Sequence, residues 1–112
     1  IMRKALICFM GVPAGILTEH EMNRHYTFEY LDEYTGRPVS LTMPLTTRSY
    51  TFSEFPPFFD GLLPEGIMLE GLLRQKKIDR NDCFSQLIAV GLDMPGAVTA
   101  EELGDDDMPH NL

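Results

Sequence analysis

The sequence predicts an α+β fold: a small antiparallel sheet in the first half, with short helices packed on it in the second half. Three observations carry this reading. Up to about residue 52 the apolar residues mostly alternate with period two. Beyond that they recur at i, i+3 and i+4, the helical spacing. Stretches rich in Gly and Pro, such as GVPAG and TGRP, punctuate the first half as turns.

The strands follow in order. RKALICFM (Arg3 to Met10) is a short apolar run, and GVPAG reads as a turn built from Gly11, Pro13 and Gly15. GILTEHE then returns as the second strand of a hairpin. In HYTFEYLDEY, Tyr26, Phe28 and Tyr30 share one face while Thr27 and Glu29 take the other, the pattern of a half-buried strand. VSLTMPL alternates again, with Val39, Leu41, Met43 and Leu45 expected to face one way. TTRSYTF adds an edge strand or an extended loop.

The helices come next. In FPPFFDGLLPEG, Ser53 is the expected N-cap of a short helix reaching about Leu63, with Pro64 ending it. MLEGLLRQKK places Leu69, Leu72 and Leu73 on one stripe, with Glu65 and Glu70 early and Arg74, Lys76 and Lys77 late, which suits the helix dipole. RNDCFSQLIAVG offers Asn81 or Asp82 as N-cap, Phe84, Leu87 and Ile88 as a stripe, and Gly91 as the stop. A last strand is expected over Ala97 to Ala100. Phe28, Leu41, Leu72, Leu87 and Ile88 are the expected core. With Ile1 set aside as extraneous, the expected division is one domain over 2–100 and a flexible acidic tail over 101–112.

At 112 residues there is room for one domain with a modest core. The net charge of −8 and pI near 4.7 argue against direct nucleic-acid binding, which needs clustered Lys and Arg, and fit a basic protein partner. No apolar run approaches the ~20 residues that span a bilayer. Cys8 and Cys83 sit within apolar segments and read as reduced thiols of a cytoplasmic protein.

Reactive groupings are scarce. His20, His25 and His110 have no metal-ligand spacing with the distant cysteines and read as solvent-facing. GVPAG lacks the pattern of a phosphate-binding loop, and Asp105, Asp106 and Asp107 read as a solvated run. The residues therefore describe a binding module without catalytic groups, cofactor or metal. Its candidate surface is the segment from Phe55 to Gly66. Phe55, Phe58, Phe59, Leu62 and Leu63 are too many for one narrow helical stripe. Some are expected to seal the sheet and others to anchor a partner, with Asp60 and Glu65 beside them for a basic group; the alternative places all five in the core.

VSLTMPL, FFDGLLPE (Phe58 to Glu65) and DCFSQLIAVGLDMPGAV (Asp82 to Val98), in that order, resemble the N-terminal subdomain of HipA-type serine/threonine kinases. The resemblance covers roughly Met2 to Ala100; Gly61 departs from the family's usual Asn. No counterpart of the kinase's ATP loop or catalytic and metal-binding aspartates follows, and the acidic tail reads as the chain's own end. The resemblance implies a HipS-like antitoxin of a tripartite system, which binds and inhibits a HipT-like kinase by blocking or distorting its ATP site. One of Phe58 and Phe59 would be the anchor, and a HipB-like DNA-binding chain would be the third member. The alternative is a non-inhibitory structural N-terminal domain of a HipA-type kinase. A small hydrolase or nucleotide-binding protein is the reading from the enzyme class.

Overall fold

The computed structural model describes residues 2–94 and 96–104. Five strands form one antiparallel sheet: β1 (Arg3–Phe9), β2 (Val12–Glu21), β3 (His25–Tyr30), β4 (Ser49–Phe52) and β5 (Val98–Leu103), in the order β4-β3-β2-β1-β5. Three helices, α1 (Pro57–Asp60), α2 (Gly66–Lys76) and α3 (Cys83–Val90), lie between β4 and β5 in the chain. The α+β fold is the predicted one.

Register explains which face is covered. Ala5 pairs with Leu17, Leu17 with Phe28, and Phe28 with Tyr50. Because side chains alternate along a strand, Ile7, Tyr26 and Tyr30 share that face, and with Phe59, Phe84 and Leu87 from the helices they form the core. Tyr26, Phe28 and Tyr30 are buried as their spacing predicts.

Several expectations are corrected. The first turn is Met10–Gly11 alone, since Phe9 pairs with Val12; the rest of GVPAG belongs to β2. VSLTMPL is not a strand: Val39 and Met43 are buried, Leu45 is half-buried, and Leu41 is 92% exposed and no part of the core. The Tyr30 hydroxyl holds this loop, accepting from the Val39 amide at 3.0 Å and donating to the Met43 carbonyl at 2.5 Å. TTRSYTF does supply the edge strand β4. Leu72 is only half-buried, because α2 buries none of its residues fully, and Ile88 is half-buried as well. Glu65 is the N-cap of α2 and Glu70 lies past its first turn, although Arg74 and Lys76 do occupy the last. β5 runs on through Glu101, Glu102 and Leu103, so the strand takes in what was read as the start of the tail; residues 105–112, with Asp105 to Asp107 and His110, lie outside the described residues.

An ionic network pins α3 to the sheet. Arg3 on β1 pairs with Glu19 on β2 at 2.6 Å and with Asp82 at 2.8 Å. Asp82 is the N-cap of α3, its side chain accepting from the Ser85 amide. Glu19 is 1% exposed and also accepts from the Tyr26 hydroxyl and the Asn23 amide. A buried carboxylate needs such saturation, or desolvation would oppose its charge. Burial alone would push the Asp82 carboxyl up; hydrogen bonds from Arg3 and Ser85 outweigh it and hold the group below the usual carboxylate range.

Candidate functional site: the α1–α2 face

Pro56, not Ser53, caps α1, with φ −59° and ψ 133° and no side-chain hydrogen bond. Pro57 takes the first helical position, where its missing N–H is no loss. The helix ends at Asp60 rather than Leu63; Leu62 and Leu63 amides donate to the carbonyls of Phe59 and Asp60 in a tight turn.

This geometry sorts the aromatics. Phe59 is 0% exposed and lies 5.6 Å from Phe28, so it belongs to the interior and leaves the partner surface predicted for it. Successive residues on a helix point about 100° apart, which turns Phe58 outward while it still meets Phe59 edge-on at 5.1 Å. Phe58 is half-buried over a small cavity of about 190 Å³ with Met43, Tyr50 and Phe52. Phe55, also half-buried, sits edge-on to Tyr26 at 5.4 Å, and Tyr26 is fixed by Glu19. Leu62 and Leu63 pack half-buried against the core, and Asp60 and Glu65 are exposed.

The face extends beyond what the sequence singled out. Gly66 has φ +58°, and α2 starts there. Its Ile67 and Met68 are 86% and 71% exposed, while Leu69, Leu72 and Leu73 are half-buried. The signal was present: Ile67 lies off the Leu69–Leu72–Leu73 stripe by helical spacing. The α1–α2 segment thus carries half-buried Phe58, Leu62 and Leu63 and exposed Ile67 and Met68, interspersed with Asp60 and Glu65, neither of which forms an ion pair among the described residues. Such a surface suits an apolar partner groove with a basic rim.

Beside it, a cavity of about 570 Å³ is lined by Tyr26, Phe55, Asp60 and Cys83 among others. Burial, with Asp60 and Asp82 nearby, pushes the Cys83 thiol up, away from nucleophilic character. Cys8 is likewise half-buried and free, its thiol raised chiefly by burial. His20 is not fully solvent-facing: its Nε2 lies 2.9 Å from the Thr27 hydroxyl and its ring 4.7 Å from that of the exposed His25. No metal-holding group of three or more His, Cys, Asp or Glu occurs among the described residues. No described helix is long and apolar enough to cross a membrane.

Known proteins share this architecture. A solved structure of the N-terminal domain of HipA toxin superimposes with a TM-score of 0.71 at 28% identity, covering 92% of this chain and 94% of that one. An uncharacterized protein of Haemophilus influenzae is 30% identical over 102 residues, which are 91% of this chain and 94% of the relative. Putative kinase Y4dM of Sinorhizobium fredii is 41% identical over 108 residues, yet the match covers only 26% of it. The serine/threonine-protein kinase toxin HipA of Shewanella oneidensis is 32% identical over 74 residues, 16% of its length. The family model of the HipA N-terminal domain matches residues 5–101. That span runs from β1 into β5 and takes in the α1–α2 face between them, and the chain belongs to the HipA N-terminal domain family.

Proposed function

We propose that this chain is an antitoxin that binds a HipT-like serine/threonine kinase through the α1–α2 face and inhibits it. The supporting observation is that face: half-buried Phe55, Phe58, Leu62 and Leu63 together with exposed Ile67 and Met68, and with Asp60 and Glu65 in no ion pair among the described residues. The Haemophilus influenzae relative, a protein hardly longer than this domain, supports the idea that such domains act as separate chains. Binding there inhibits by blocking or distorting the kinase's ATP site, and a HipB-like DNA-binding chain completes the complex. This module performs no catalysis itself; Mg-ATP is expected to give no heat on titration into it.

The second reading is a structural N-terminal domain of a HipA-type kinase without inhibitory action. The Y4dM match favours it, since there the same domain occupies a quarter of a kinase. Co-purification with a candidate HipT-like kinase, followed by an autophosphorylation assay, separates the two. Binding with loss of kinase activity supports the antitoxin; binding with activity intact supports the structural domain; failure to bind any such kinase removes both.

A further inference from the structure

We propose that the groove beside the β1–β2 turn is a two-fold contact between copies of this chain, with Met10 of each copy entering the groove of the other. The groove has a volume of about 570 Å³, and Phe9, Val12, Pro13, Leu31 and Tyr34 give it an apolar lining. Its wall is rigid. The ring of Tyr34 lies so close to Gly36 that a Cβ there would meet its hydroxyl at 2.7 Å. The same hydroxyl donates to the Arg37 carbonyl, and the ring stacks on Tyr30 with an interplanar angle of 3°.

Met10 stands at the lip and is 71% exposed, with Val12 beside it at 53%. Met10 and Gly11 have φ of 52° and 82°, the two central positions of a hairpin turn that favours Asn and Gly. Met10 borders the groove of its own copy but stays mostly exposed, so a long apolar side chain here gains little from its own domain, whereas the flexible thioether is well suited to filling a neighbouring gap.

Charge identifies the occupant. Glu33 and Arg37 both line the groove, both are exposed, and neither forms an ion pair among the described residues. An isologous contact needs a surface complementary to itself, and one acid with one base on the same rim meets that need. Elsewhere a net charge of −8 sets copies against each other; here the local charges cancel. The groove lies at the Phe9↔Val12 end of the sheet, while Phe55 packs on Tyr26 at the Arg3↔Glu19 end. A second copy seated in the groove therefore leaves Phe55 free, and the inference is independent of the function proposed above.

Sedimentation velocity over a concentration series tests it. The parent chain is expected to dimerise reversibly. Met10→Gly suits the positive φ, leaves the turn intact, and is expected to weaken the dimer about tenfold or more. Glu33→Arg weakens it similarly, and adding Arg37→Glu to that variant restores it. A parent that stays monomeric throughout, a dimer indifferent to Met10→Gly, or a double reversal that fails to restore association each overturns the proposal. So does a monomer in which Met10→Gly instead lowers kinase affinity, since the groove then belongs to the kinase.

Discussion

The amide of Ala100 donates to the carbonyl of Gly91 at 2.9 Å, and a Cβ placed on Gly91 would stand 1.8 Å from the Ala100 carbonyl oxygen. Gly91 has φ −54°, so the helical backbone itself does not demand glycine. The close approach of the α3 terminus to β5 does. Gly91→Ala is expected to lower stability by about 1–3 kcal/mol, by overpacking against backbone that has little room to yield. Equilibrium denaturation measures this, and an unchanged midpoint and slope would refute it.

Phe58 and Phe59 are neighbours with opposite duties. Phe59→Ala is expected to cost about 3–5 kcal/mol of stability, since the ring is fully buried against Phe28. Phe58→Ala costs less stability and weakens kinase binding. Thermal melts paired with binding isotherms decide it; equal destabilisation by both variants would show that the two rings share the core.

Leu87 and Leu41 separate burial from hydrophobicity. Leu87 is fully buried, and Leu87→Ala is expected to cost about 2–5 kcal/mol. Leu41→Ala, at a site 92% exposed, is expected to stay within about 0.5 kcal/mol of the parent. A large loss at Leu41 in chemical denaturation would mean that the loop packs differently.

Ile67 tests the proposed kinase face without touching the core. Ile67→Ser is expected to leave the circular dichroism spectrum and melting temperature unchanged, because the side chain is 86% exposed. Kinase affinity is expected to fall by about 2 kcal/mol, the size of an interface hot spot. A folded variant that binds and inhibits like the parent would place the interface elsewhere.

Acid should loosen the link between α3 and the sheet. The Asp82 carboxyl is held below its unfolded value, so its contribution is fully present above about pH 4. It is lost as pH falls through the lower folded value, when the unfolded chain binds the proton more readily. Stability followed by urea titration from pH 6 downward is expected to fall less steeply for Asp82→Asn than for the parent. Identical slopes would show that Asp82 does not titrate with folding.

Much of this was legible where local pattern and tertiary packing agree. Tyr26, Phe28 and Tyr30 alternate on a strand whose partners alternate too, and of the two N-caps the sequence offers, Asn81 and Asp82, it is Asp82 that caps α3. VSLTMPL has the same alternation, yet Pro38 and Pro44 carry no amide hydrogen for a ladder; the Tyr50 phenol of β4 donates to the Pro44 carbonyl, and the Tyr30 phenol of β3 holds Val39 and Met43. Those contacts come from outside the segment and leave no local trace in it. Glu19 was illegible for the same reason: a carboxylate in an alternating strand reads as exposed until Arg3, Tyr26 and Asn23 are seen around it. In the candidate face, the excess of apolar groups in Phe55 to Leu63 was legible, but its division was not. The helix starts at Pro57 and ends at Asp60, with Phe59 buried and Phe58 half-buried.

The strand order has a consequence for biosynthesis. β1 is made before its hairpin partner β2, yet its other neighbour, β5, is the last of the five strands to be made, with Lys4 waiting for Leu103. Until β5 is made, β1 therefore carries a bare edge, the kind of surface on which nascent chains pair wrongly. The β1–β5 pairing closes the longest loop of the sheet, so the strand that pairs on this side of β1 is the one most distant from it in sequence.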